Sequence, residues 1–148
     1  MKIVNTARAI IVHEGKLLVF KLRREDNWWC LPGGKIEAGE QIEAAMRREL
    51  IEETGIEPVI GKLLVIQDLI MNDEQRIEFF FEIKNSADYL NIDFSNTTHG
   101  FEVSECKFWD PKDETMNVLP RSLKTIVGEI NNSGTENFRT RLMVGDKE

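Results

Sequence analysis

Cysteine is scarce, positive charge is in deficit, and no long apolar run occurs. Cys30 and Cys106 are the only cysteines among 148 residues. Two thiols make no disulfide framework, and a chain of this length buries enough surface to fold without one. Both are expected as reduced thiols, which makes the cytoplasm the expected location. Residues 1–8 carry Lys2 with no apolar stretch behind it, unlike a signal peptide. No segment approaches the roughly 20 apolar residues of a membrane span. Lys and Arg number 19 against 26 Asp and Glu, a net charge of −7. That balance argues against sequence-independent binding to a nucleic-acid backbone. It leaves open a phosphorylated small molecule, because a divalent cation can supply positive charge locally. Internal repeats and composition breaks are also lacking, so residues 1–148 are expected to form a single domain.

What is present alternates between strand and turn signals. Residues 7–12 and 17–22 are apolar and flank the turn signal His13-Glu14-Gly15-Lys16, which predicts a hairpin. A polar loop is expected over 23–27, then a short extended piece over 28–31, stopped by a turn at Pro32-Gly33-Gly34. Residues 42–54 are rich in helix formers and precede Gly55, which suits the position just past a helix end. Gln41 stands where a capping residue is expected, so tertiary contacts must hold that end. Strands are predicted over 56–70, with a bulge or bend at Gly61, over 76–83, and over 101–109. Between the last two, residues 85–100 form a long polar loop of the kind that carries function. A second helix is predicted over 119–130 with Pro120 in its first turn, and residues from about 132 read as a loose tail. This order indicates an α/β fold, a mixed sandwich and not a βαβ parallel sheet.

One segment carries chemistry. Glu49, Glu52 and Glu53 lie at i, i+3 and i+4, so a helix places all three carboxylates on one face. Such a cluster repels itself unless something compensates it. Arg47 and Arg48 offer one solution, a solvated face of ordinary ion pairs. A hard divalent cation offers another. Magnesium takes oxygen ligands, keeps several waters, and shares carboxylates with substrate phosphate. Glycines just before the helix let backbone approach a metal or a phosphate closely.

The flanking residues favour the metal. Residues 34–56 resemble the Nudix box, G-x5-E-x7-R-E-U-x-E-E-x-G-U with U aliphatic. Gly34, Glu40, Arg48, Glu49, Leu50, Glu52, Glu53, Gly55 and Ile56 match every specified position. A chance match is on the order of one in a million. The resemblance implies a Nudix-type α/β/α sandwich with a mixed β-sheet. It also implies hydrolysis of a pyrophosphate bond in a nucleoside diphosphate linked to another group, supported by magnesium or manganese. Glu52 and Glu53 would be the firmer metal ligands. Glu49 would also reach the metal, or orient or deprotonate the water. The Gly33 carbonyl would be a further ligand. Arg48 would hold the glutamates by ion pairing, and Glu40 would brace the loop through Arg48. Members of the family often add a carboxylate from a later segment. Glu102 is the choice here and Glu105 the rival.

Substrate marks are fewer. Lys35 and Arg23 are candidates to reach phosphate, with solvated surface cations as the plainer reading, and Arg24 and His99 stand behind them. Trp28 is placed to stack on a base, or Trp28 and Trp29 pack in the core. The proline often found downstream in ADP-ribose enzymes is replaced by Asn72. The tyrosine of diadenosine polyphosphate enzymes has only Tyr89 to answer it. A nucleotide-binding sensor without catalysis is the competing function, although a sensor has no need of the complete carboxylate set. An isoprenoid diphosphate isomerase shares the fold but needs a catalytic cysteine that has no clear place here. Family members often pair, so a homodimer is one expected assembly.

Overall fold

A computed structural model describes residues 1–24 and 27–146. Glu25 and Asp26 of the expected polar loop, and Lys147 and Glu148 of the expected tail, lie outside the described residues. Two-residue alternation builds the sheets. The first strand, β1 (Lys2–Ile10), runs parallel to β6 (Glu74–Ile83) on one side and antiparallel to the short β4 (Gly33–Lys35) on the other. Strand β5 (Ile60–Met71) lies antiparallel to β6, and β8 (Arg141–Asp146) adds parallel to β5. The resulting mixed five-stranded sheet has the order β4-β1-β6-β5-β8. A second sheet of three strands, β2 (Val12–His13), β3 (Lys16–Leu22) and β7 (Val103–Trp109), has the order β2-β3-β7.

Helix α1 (Ile42–Thr54) and helix α2 (Leu123–Ser133) cover two separate apolar cores. Successive strand residues divide between them, because neighbouring Cβ atoms point to opposite faces. Ala7, Ala9, Leu18, Phe20 and Phe81 pack with Ala45, Met46 and Leu50 of α1. Ile10, Leu17, Val19 and Phe80 pack with Leu123, Ile126 and Val127 of α2. Each fully buried aliphatic or aromatic side chain contributes about 1.5–3 kcal/mol. The arrangement is a helix–sheet–helix sandwich, as the resemblance implied.

Helix α1 spans the residues expected. Gly55 takes φ 74° and donates its N–H to the Ile51 carbonyl at 2.8 Å, which closes the helix. Gln41 makes no side-chain cap, and the entry is secured by Glu40, bonded to the Glu37 N–H and to Arg48.

Several expectations need correction. The predicted hairpin survives only at its tip, where Val12 pairs with Leu17 and His13 with Lys16. Beyond it β1 and β3 enter different sheets, because each must bury residues on both faces. Pro32-Gly33-Gly34 is not a turn. Both glycines pair with β1, Gly33 opposite Arg8 at φ 136°, and a Cβ there would stand 2.0 Å from the Ala7 carbonyl oxygen. Residues 85–100 form a long connection as expected, but an ordered one: they hold short 3-10 turns and the buried Tyr89, whose hydroxyl donates to the Ile56 carbonyl. Phe101 and Glu102 belong to a 3-10 turn, and Phe101 is exposed. Pro120 precedes α2 and does not enter its first turn. The tail is not loose, since β8 extends the sheet.

Leu50 is fully buried beneath α1. Leu50→Ala is expected to remove about 3 kcal/mol of stability through lost burial and a residual cavity. A urea midpoint unchanged from the parent protein would contradict this packing.

Candidate active site

Helix α1 presents its acidic face to the end of β4, and one guanidinium organises it. Arg48 Nε donates to Glu40 Oε2 at 2.7 Å and Nη2 donates to Glu40 Oε1 at 3.1 Å, a two-pronged pairing. Its Nη1 donates to Glu49 Oε1 at 3.0 Å and to Glu52 Oε2 at 3.1 Å. Nη2 also reaches the Lys35 carbonyl at 2.9 Å, tying the helix to the end of β4. The Glu40 hydrogen bonds are the main reason that the Arg48 pKa lies above its ordinary value. Glu52 has a second partner, His99, whose Nδ1 stands 3.1 Å from Oε2. The His99 backbone N–H donates to the Glu52 carbonyl at 2.8 Å, which docks the long loop on the last turn of α1.

Glu53 points inward. It is 6% exposed, and the Gly33 N–H donates to its Oε1 at 2.8 Å. Burial pushes its pKa up to about 8, and the carboxylates of Glu49 and Glu102 add to the rise. Arg8 and the Gly33 N–H oppose it without cancelling it. Glu49 is raised as well, chiefly by burial. Gly34 makes room for this carboxylate, because a Cβ on Gly34 would lie 2.5 Å from Glu49 Oε2.

The expected site residues therefore divide. Glu49 and Glu52 meet at Arg48, and Glu53 lies beneath them within electrostatic reach of Glu49 and Glu102. Among the described residues, no three His, Cys, Asp or Glu side chains form a ready-made metal cage. The donor set still suits a hard cation: oxygen ligands only, in mutual repulsion, two of them held above their ordinary pKa by burial. The Gly33 carbonyl, an expected ligand, accepts from Arg8 Nη1 at 3.1 Å. Glu105 pairs across strands with Lys21 and is exposed.

The substrate candidates separate too. Trp28 lines a cavity of about 300 Å³ with Arg8, Arg24, Gln67, Arg76 and Glu78. Lys35 is exposed and lines a different depression, beside Lys2, Asn5 and Glu37. Arg23 is exposed, and it does not line the 300 Å³ cavity. Its backbone N–H donates to the Glu102 carbonyl at 2.9 Å and its Nε to the Phe101 carbonyl, so it pins the turn that carries Glu102.

Sequence reasoning missed Arg8, Glu78 and Gln67. Arg8 is half-buried, donates to the carbonyls of Leu31 and Gly33, and stands 3.5 Å from Glu78 Oε1. Thr6 Oγ1 donates to the same Glu78 oxygen at 3.0 Å. The available signal was polarity at alternate positions of a strand, Thr6 and Arg8 on either side of Ala7 and ahead of Ala9-Ile10-Ile11.

Comparison with known proteins gives the family and the fold. The sequence model of the NUDIX domain family matches residues 3–126. A CTP pyrophosphohydrolase of Escherichia coli is 37% identical over 65 residues, 42% of this chain and 48% of its own length. An ADP-ribose pyrophosphatase of Methanocaldococcus jannaschii is 42% identical over 57 residues, 37% of this chain and 34% of its own. The chain thus spans less than half the length of these two curated relatives. The crystal structure of a MutT NUDIX hydrolase from Burkholderia pseudomallei matches with a TM-score of 0.68 at 23% identity, over 87% of this chain and 98% of that one. It shares the fold.

A buried carboxyl with a raised pKa stabilises the fold below its unfolded value, near 4.3, and that contribution is lost as pH rises through about 8. Glu53→Gln keeps an oxygen for the Gly33 N–H and removes the charge. In EDTA at pH 9 this variant is expected to melt about 5 °C or more above the parent protein. The gap should close toward pH 5. A gap independent of pH would contradict the burial of an ionisable Glu53.

Proposed function

The chain belongs to the Nudix family, and from that premise we propose that it is a divalent-metal-dependent pyrophosphohydrolase. Its substrate is a nucleoside diphosphate linked to another group. The observation that supports this reading is the gathering of Glu49, Glu52 and Glu53 beside Gly33, next to a cavity large enough for a nucleoside.

Glu52 and Glu53 would hold magnesium, or manganese in its place, with Glu102 as the added carboxylate. The bound ion would polarise phosphate oxygens and lower the pKa of a coordinated water. Glu49 would take the proton from the attacking water. Its upward shift brings it nearer neutrality, which improves a general base at physiological pH. Arg48 is a positioning residue: it holds Glu49 and Glu52 on one nitrogen and ties them through Glu40 to the helix entry. Arg8 Nη1 takes one lone pair of the Gly33 carbonyl, and the second would serve the ion. Trp28, at the cavity wall, would flank the base. Lys35 and Arg23 would touch only phosphate that extends beyond the cavity.

The same reading takes residues 1–148 as one domain in the cytoplasm with reduced thiols. Cys30 and Cys106 form no disulfide, and burial raises the Cys106 thiol to about 11. No helix among the described residues is long and apolar enough to cross a membrane.

Phosphate or nucleotide release is expected from a panel of nucleoside diphosphate derivatives with magnesium present, and not in EDTA. Glu52→Gln and Glu53→Gln should each lower kcat/KM by about 100-fold or more, since each removes a proposed ion ligand. Arg48→Ala should lower it by about 10–100-fold, as loss of a ligand-orienting partner does, with partial recovery in Arg48→Lys. Saturable nucleotide binding without turnover under any divalent ion would favour the sensor.

A further inference from the structure

We propose that Gln67, Glu78 and Arg76 form the base-reading wall of the cavity beside Gly33, and that this wall selects a nucleobase bearing an exocyclic amine over uracil. The assignment rests on the nucleotide reading of the site and names the feature of the nucleotide that it recognises.

The strand register creates the wall. Gln67 of β5 lies opposite Glu78 of β6, and Glu78 lies opposite Thr6 of β1. Arg76 stands two residues before Glu78 on the same face, opposite Leu69. Gln67, Glu78 and Arg76 all line the 300 Å³ cavity, and Leu69, Phe80 and Trp28 supply apolar surface around them.

Among the described residues, two polar atoms in this wall lack partners. Gln67 is 5% exposed, and its Oε1 accepts no hydrogen bond among the described residues. Arg76 Nε is buried and donates none, although Nη2 is fixed on Glu74 Oε2 at 2.9 Å. Native proteins rarely leave such atoms unpaired, because the lost hydration is not returned. Two of them in one cavity point to a ligand that brings the missing partners.

The ligand's chemistry follows from what each atom needs. Gln67 Oε1 needs an N–H. Glu78 is a second acceptor directly across the strand pair, oriented by Thr6 Oγ1 at 3.0 Å and Arg8 Nε at 3.5 Å. Two adjacent acceptors suit an amine with two N–H bonds, and Arg76 Nε suits the ring nitrogen or carbonyl beside that amine. Adenine, cytosine and guanine offer this combination. Uracil offers a single N–H between two carbonyls, so one carbonyl oxygen would face the Glu78 carboxylate or Gln67 Oε1. A site whose buried polar groups are left unpaired or opposed rejects the wrong ligand strongly.

Equilibrium binding of AMP, CMP, GMP and UMP, measured by calorimetry with magnesium present, tests this without turnover. At least one amine-bearing monophosphate should bind about tenfold or more tighter than UMP. Gln67→Met should bring it within about threefold of UMP by weakening the amine-bearing ligand alone, at an unchanged melting temperature. Equal binding of all four, no binding of any, or an undiminished preference in Gln67→Met would overturn the assignment. The ranking by the parent protein decides the matter even if the variant does not fold. An amine preference without hydrolysis of any nucleotide would sink the hydrolase reading and leave the wall standing. Hydrolysis that proceeds alike on uridine and amine-bearing substrates, with equal monophosphate binding, would do the reverse.

Discussion

Arg48 is the residue on which the acidic face depends. Three glutamates at i, i+3 and i+4 oppose one another on any helix. A guanidinium with five donors in a fixed fork can bond several carboxylates at once, which an ammonium cannot do with the same geometry. Here the fork takes Glu40 on one side, and Glu49 and Glu52 share one nitrogen on the other. The same contacts replace the missing cap at Gln41. Helix entry and acidic face are therefore one device: weakening Arg48 loosens both.

Beneath that surface layer lies a second constraint, the burial of Glu53. The Gly33 N–H donates to it from a strand that exists in this form because Gly33 can adopt φ 136° against Ala7. Arg8 joins Gly33 to Glu78. A chain of contacts thus runs from the helix, through the glycine strand, to the polar wall of the cavity. Burial raises Glu53 and Glu49, and the arginines beside them offset the rise only in part. An additional cation and a phosphate would complete the balance of charge.

Local signals made helix α1, its Gly55 stop and its acidic face legible, because helix period and capping act over a few residues. Strand positions were also legible, but their partners were not. The turn at Glu14-Gly15 reads as a hairpin, yet Ala7 and Ala9 belong to a sheet whose other members lie near residues 33 and 80. Parallel pairing between distant segments leaves no local mark. The order of the tail leaves no local mark for the same reason, since β8 pairs with the distant β5. Pro32-Gly33-Gly34 carries turn residues, and only the approach of β1 explains why a strand needs glycine there. Arg8, Gln67 and Glu78 were visible as polar breaks in apolar strands. Their convergence on one cavity emerges only from the register.

On the proposed function, these carboxylates gather around a divalent ion. Manganese scatters anomalously and accepts the same oxygen ligands, so crystals grown with Mn²⁺ test it directly. An anomalous peak is expected within about 2.5 Å of carboxylate oxygens from Glu52 and Glu53. A protein that hydrolyses nucleotides while manganese lies elsewhere, or is absent from that face, would contradict it.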